Sequence, residues 1–259
     1  MQLATSLHRL GSSLVNSYLV EERGQVTIID AGLPGYWGDL PAELAAMGRS
    51  LEDVRGVVLT HGDTDHIGFA ERLRRERGVP VYVHELDAGR ACGEVKKPMS
   101  GWGPVKLGAL AGFLLYGARK GALRITYLTE VQTFTGGVTL DLPGSPRIIH
   151  LPGHTPGSVA VHVPAVDAVF LGDAFTTRSV LTGAVGPRPA PFTLDPAQAT
   201  ASLARLDGID ATWALPGHGD AWNGGLAEAL QLIRAAAASS PPSGLALAAA
   251  PADGRAAPR

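Results

Sequence analysis

Short apolar runs that end in polar loops recur along the chain and alternate with stretches of helical spacing. Residues 14–20 and 25–30 read as two strands joined by the polar turn Glu21-Glu22-Arg23-Gly24, which predicts a hairpin. Residues 39–47 place Leu40, Leu44 and Met47 at helical spacing, with Gly48 positioned to end the helix. The strand-like run 56–59 is followed by a charge-rich helical stretch that closes at Gly78, and then by a short buried strand at 79–83. Further strands are expected at 132–140, 147–150, 168–171 and 212–215. In 158–163, Val159, Val161 and Val163 share one face, as a half-buried strand requires. Asp195-Pro196 opens a helix that runs to about residue 206, with an N-cap and then Pro at the first position. An Ala-rich helix is expected at 226–238. Strands and helices that alternate in this way predict an α/β fold.

Three segments resist this reading. Residues 104–117 are largely apolar, with Leu107, Leu110, Ala111, Leu114 and Leu115 at helical spacing. The run is too short for a bilayer, which needs about 20 residues. Two readings stand: a helix packed on the body of the protein, or a lid that gives a substrate an apolar wall. The region around residues 92–125 is accordingly treated as a lid-like insertion, and an exposed apolar face on it would also suit a homodimer contact. Residues 177–192 form a Pro- and Gly-rich stretch carrying Arg178 and Arg188, expected to be a loop. Residues 239–259 have few large apolar side chains and read as a disordered tail, which leaves 1–238 as one domain.

Composition narrows the class. The chain has 259 residues, a formal net charge of -2, 45% hydrophobic and 18% charged residues. That balance gives no reason to expect nucleic acid or a membrane as partner, so a small-molecule substrate stays open for the chemistry to decide. One cysteine, Cys92, excludes an internal disulfide framework and suits a reducing compartment. The first ten residues lack the pattern of an export signal, so a cytoplasmic location is expected.

The chemistry concentrates in Thr60-His61-Gly62-Asp63-Thr64-Asp65-His66, just after the apolar run Val57-Val58-Leu59. Imidazole nitrogen and carboxylate oxygen together suit zinc, iron or manganese. The bland alternative is a polar turn with Asp65 as a helix N-cap. Three later pieces each place one potential ligand at the end of an apolar run: Pro152-Gly153-His154-Thr155-Pro156-Gly157-Ser158, Phe170-Leu171-Gly172-Asp173 and Pro216-Gly217-His218-Gly219-Asp220. His84 reads as a structural histidine, and His162 as structural or exposed.

With these four motifs in order, the chain resembles the metallo-β-lactamase superfamily, whose pattern is His-x-His-x-Asp-His, a His, a bridging Asp and a His. The early Asn16-Ser17-Tyr18-Leu19-Val20 and Ile28-Ile29-Asp30-Ala31-Gly32 pieces fit it too. The resemblance implies a four-layer αββα sandwich of two mixed β-sheets flanked by helices. It implies two divalent metal ions, zinc first and manganese or iron as alternatives. His61, Asp63 and His154 would hold one ion, Asp65, His66 and His218 the other, with Asp173 between them. It also offers Asp30, otherwise a turn residue, as a buried carboxylate behind the ligands. Asp63 departs from the pattern, which has a second histidine there. Its added charge would weaken the ions as Lewis acids and favour harder ones.

The implied activity is metal-dependent hydrolysis by a metal-bridged hydroxide, with Asp65 and Asp173 as catalytic residues. An apolar lid suits an ester, thioester or lactone. A phosphodiesterase, an iron-dependent oxidoreductase and a non-catalytic binding protein are the alternatives.

Overall fold

The computed structural model describes residues 1–96 and 104–239. Residues 97–103 of the expected lid-like insertion and nearly all of the expected tail at 239–259 lie outside the described residues; Ser239 ends the last helix.

The expected hairpin forms as β3 (Val15–Glu22) and β4 (Gln25–Ile29), with Glu22 opposite Gln25. It is preceded by a second hairpin that the sequence reading passed over, β1 (Gln2–Ala4) and β2 (Leu7–Ser12). β2 does not alternate apolar and polar because both of its faces are covered: Leu7 enters one core and Leu10 another. β5 (Val54–Val58), β6 (Val81–His84) and β7 (Gln132–Phe134) add in parallel and complete a seven-stranded sheet in chain order. β7 is shorter than the 132–140 expected, and from Gly137 on the chain bonds instead to β8, with Thr139 across from Arg147.

β8 (Arg147–His150), β9 (Val159–Val163) and β10 (Ala168–Gly172) build a second sheet. The Pro- and Gly-rich stretch after it is not a plain loop but holds a two-stranded ribbon, β11 (Thr176–Arg178) and β12 (Val185–Arg188). β13 (Trp213–Pro216) then pairs in parallel with β10, which gives the order β13-β10-β9-β8.

The helices are α1 (Leu40–Ala46), α2 (Ala70–Arg77), α3 (Glu85–Ala91), α4 (Leu107–Arg119), α5 (Pro196–Ser202) and α6 (Leu226–Ser239). Asp195 caps α5 as its sequence predicts, its side chain accepting from Gln198 N at 2.9 Å. Asp65 caps nothing, because α2 starts only at Ala70. Residues 61–69 are therefore an irregular loop that frees both aspartates for other work.

Three apolar layers fix the architecture as an αββα sandwich. One lies between the first sheet and α1–α3, with Leu19, Ile28, Leu40, Leu44 and Leu73. The middle layer joins the two sheets through Tyr18, Val20 and Ile29 on one side and Val159, Val161, Val163 and Phe170 on the other. The third seats α6 and the 3-10 turn after α5 (Leu203–Leu206) on the second sheet through Leu171, Leu203, Leu230 and Ile233. The period-2 pattern of β9 thus faces inward, and Tyr18 meets Phe170 edge-on with ring centroids 5.3 Å apart. Truncating such a ring to Ala costs about 3–5 kcal/mol. β4 and β5 run parallel, as do β10 and β13, so the loops that leave them emerge along one rim of the sandwich. β8 points the same way as β10, because both are antiparallel to β9.

Candidate metal centre

Five loops meet at that rim: those after β4, β5, β8, β10 and β13. The loop after β5 carries His61, Asp63, Asp65 and His66; the others carry Asp30, His154, Asp173 and His218. All seven side chains singled out as ligands come together. Three groupings have donor atoms within 4.8 Å of one another: His61, Asp63 and His154; Asp65, His66 and His218; and His61, His66 and Asp173. Asp173 lies between the first two. Its Oδ2 is 3.6 Å from His154 Nε2 and 3.3 Å from His218 Nε2, and its Oδ1 is 3.6 Å from His66 Nε2. Asp63 Oδ2 is 3.4 Å from His154 Nε2 and 3.7 Å from His61 Nε2, and Asp65 Oδ2 is 3.4 Å from His218 Nε2.

The tautomer of each histidine follows from what its Nδ1 meets. His66 Nδ1 faces Asp30 Oδ2 at 2.8 Å, which can only accept. His218 Nδ1 faces the carbonyl of Leu14. His154 Nδ1 is 3.2 Å from Thr193 Oγ1, whose own hydrogen goes to Ala190 O. His61 Nδ1 is 3.1 Å from Thr60 Oγ1, whose hydrogen goes to Asp30 Oδ2. In all four, the outer nitrogen donates and Nε2 is the atom aimed at the cluster. Such outer partners orient metal-binding histidines. His61 Nε2, His66 Nε2 and Asp173 Oδ1 are buried without a hydrogen-bond partner among the described residues. Buried polar atoms rarely stay unsatisfied. Cations at their common focus would satisfy all three, so the donor set fits a metal pair.

Electrostatics agree with that fit. Burial opposes charge on His66, but Asp30, Asp65 and Asp173 around it raise it to about 10. Burial likewise opposes charge on His218, which Asp173 and Asp65 raise to about 8. Asp173 is also buried, yet His218, His154 and His66 hold its carboxyl well below the ordinary value. His61 goes the other way: burial and the neighbouring His66 push it well below the ordinary histidine range. The cluster focuses negative charge in a water-poor place, which favours multivalent cations.

Close approach beneath the cluster needs glycine. A Cβ on Gly217 would lie 2.5 Å from Asp173 Oδ1 and 2.6 Å from His66 Cε1. A Cβ on Gly172, whose φ is +48°, would lie 2.3 Å from Thr60 Oγ1. Asp30 also sits in the left-handed region, at φ 58°. There its Oδ1 accepts from Thr60 N at 2.7 Å while Oδ2 serves His66.

Several supporting residues escaped the sequence reading. Asp87 is fully buried on α3 and ties two ligand loops together: its Oδ2 accepts from Gly62 N at 2.8 Å and Thr155 Oγ1 at 2.7 Å, its Oδ1 from Gly157 N at 2.9 Å. Arg90, on the same helix, donates to Asp63 Oδ1 at 2.9 Å. Their spacing of three on a short helix resembles any amphipathic pattern, so nothing local marks them. On the opposite side, α4 lies beside the cluster. The Phe113 ring approaches His218 edge-on at 6.2 Å, and Tyr116 shares a 2.8 Å hydrogen bond with Tyr36. His84 is structural, capping α3 through Nδ1 and stacking on His150 at 4.3 Å.

Comparison with known proteins places this arrangement. Residues 10–218 match the metallo-beta-lactamase superfamily. A Bacillus subtilis (strain 168) protein described as a probable metallo-hydrolase, YflN, is 27% identical over 237 residues, covering 84% of this chain and 85% of its own. Among solved structures, TTHA1623 in a di-iron-bound form is 30% identical with a TM-score of 0.56, covering 83% of this chain and 93% of that one. TTHA1429 from Thermus thermophilus, a metallo-beta-lactamase family protein, is 22% identical with a TM-score of 0.62, covering 92% and 78%.

Proposed function

Because the chain belongs to the metallo-beta-lactamase superfamily, we propose that it is a binuclear metal-dependent hydrolase acting on an ester, thioester or lactone. The observation that carries this is the convergence of seven donor side chains on a focus where three buried polar atoms lack partners. His61, Asp63 and His154 would hold one divalent ion, and Asp65, His66 and His218 the other, with Asp173 facing both groups. When bound, the pair supplies Lewis-acid polarisation of the substrate and activation of water near neutral pH. Zinc, iron and manganese all suit these donors, and the di-iron form of TTHA1623 makes iron the ion to test beside zinc.

The chain's own residues do the rest. Asp173 is 8% exposed and faces histidines from both groups, so it fixes their separation. Asp65 is the ligand carboxylate most open to solvent, its side chain 26% exposed, which lets it hold or pass on a proton at Oδ2 during turnover. Phe113 and the rest of α4 form an apolar wall beside His218, which supports an acyl group over a charged phosphodiester. α4 in this reading is the lid. The lone thiol, Cys92, suits a reducing cytoplasm. The test is metal quantification of the purified protein together with a screen of 4-nitrophenyl esters, thioesters, lactones and bis-phosphodiesters. Two ions per chain with acyl-substrate turnover is the expected result; turnover confined to phosphodiesters would overturn the substrate assignment.

A further inference from the structure

Asp63 stands where the family pattern carries a neutral histidine, and a carboxylate there adds negative charge to the ligand set. α3 answers that charge. Arg90 is 6% exposed, and its Nη1 lies 2.9 Å from Asp63 Oδ1. The other carboxylate oxygen, Oδ2, faces His154 Nε2 at 3.4 Å and His61 Nε2 at 3.7 Å. The two oxygens are thus divided, one tied to a guanidinium and one left in the donor cluster. A histidine at this place would present a single neutral donor atom. Asp63 and Arg90 together also present one donor atom, with no net charge.

The arginine is held firmly enough to orient its partner. α3 is capped by His84 and bolted to the loops of Gly62 and Gly157 by Asp87, one turn before Arg90. Gly62 is pressed against the same helix: a Cβ there would lie 2.8 Å from the carbonyl oxygen of Asp87, 2.9 Å from Ala91 N and 3.0 Å from Arg90 Cβ. A guanidinium buried this deeply is costly without an anion beside it, so the two side chains depend on each other.

Resting on the metal-binding reading above, we infer that Arg90 is a positioning residue that holds Asp63 to one inward oxygen and cancels the charge Asp63 adds to the site. With Asp63, Asp65 and Asp173 as ligands, Arg90 returns the total to that of a set with two carboxylates. The weaker Lewis acidity that the charge of Asp63 alone implies is thereby offset.

The test uses the full chain, stripped with a chelator and titrated with Zn2+, as wild type, R90Q and D63H/R90Q. Each is also unfolded in the metal-free state. Wild type is expected to take two ions. R90Q should bind one of them about 10–100-fold more weakly, as loss of an outer partner does. D63H/R90Q, which removes both charges and restores a histidine, should regain two-ion binding to within a few-fold of wild type. A merely structural arginine would lower metal-free stability in R90Q and again in the double variant, without that recovery. If R90Q does not fold, D63H/R90Q against wild type still decides. R90Q with both wild-type affinities, or a double variant that does not bind the second ion, would overturn the inference. A wild type that binds no Zn2+ and carries no other metal would instead overturn the metal-binding reading beneath it.

Discussion

His61, Asp63 and His154 converge against α3, where Arg90 sets a positive charge behind a carboxylate; Asp65, His66 and His218 converge beside α4, where Asp30 sets a negative charge behind a histidine. Each half takes two side chains from the loop after β5 and one from the second sheet. Burial disfavours a charged imidazole in both. In the second half the neighbouring carboxylates overcome that penalty, and His66 rises to about 10 and His218 to about 8. In the first, His61 stays well below its ordinary range. Two sites with nearly the same donors therefore differ in field, because the residues behind the donors differ. The half backed by Asp30 is expected to keep its cation longer against a chelator.

The largest way to break this comparison is to remove what the halves share. Asp173→Ala deletes the carboxylate between them and should lower turnover by several kcal/mol of transition-state stabilisation, on the order of 10³-fold. The fold should survive, as checked by circular dichroism; near-normal turnover would take Asp173 out of the mechanism. A change to one half comes next. Asp30→Asn removes the anion directly behind His66 and should weaken that ion by about 10–100-fold, and the other, which Asp30 reaches only through Thr60 and His61, by less, read by calorimetric titration. Equal weakening of both ions would mean that the halves are not separate. The smallest effect belongs to a control outside both halves. Glu71 accepts from Arg74 and from Thr129. The Arg74 hydrogen bond, with that from Thr129, holds its carboxyl below the ordinary 4.5, against its burial. A depressed folded-state value means stability that is present above about pH 4.5 and lost as pH falls below it. Glu71→Gln should cost about 1–3 kcal/mol at pH 7 and progressively less under acid conditions, with metal content unchanged. A penalty that does not change with pH, measured by urea unfolding, would contradict the ionic origin.

The ligand loops were legible because each follows a short run of apolar residues that reads as a buried strand. His154, Asp173 and His218 all sit one to four residues past such a run, and β9 announced its inner face through Val159, Val161 and Val163. Asp195-Pro196 located a helix start by capping chemistry alone. Elsewhere the pattern carried no such signal. β2 hid because both of its faces are covered, so its apolar residues do not alternate with polar ones. β11 and β12 hid because a two-stranded ribbon with Gly186 and Pro187 in it reads as a loop. Arg90 hid for another reason: its partner Asp63 is 27 positions away, and only the folded sheet brings α3 onto the loop after β5.

One consequence follows from where the donors come from. Neither half can be completed by one sheet: His154 reaches Asp63 across 91 positions of sequence, and His218 meets Asp65 from the last strand. A bound cation would therefore act as a rivet through the sandwich, closing long loops in a chain whose lone cysteine allows no disulfide within it. The apolar layer between the sheets docks them without it, so a cation would tighten a sandwich already formed, and a chain with only one sheet formed would have nowhere to put it.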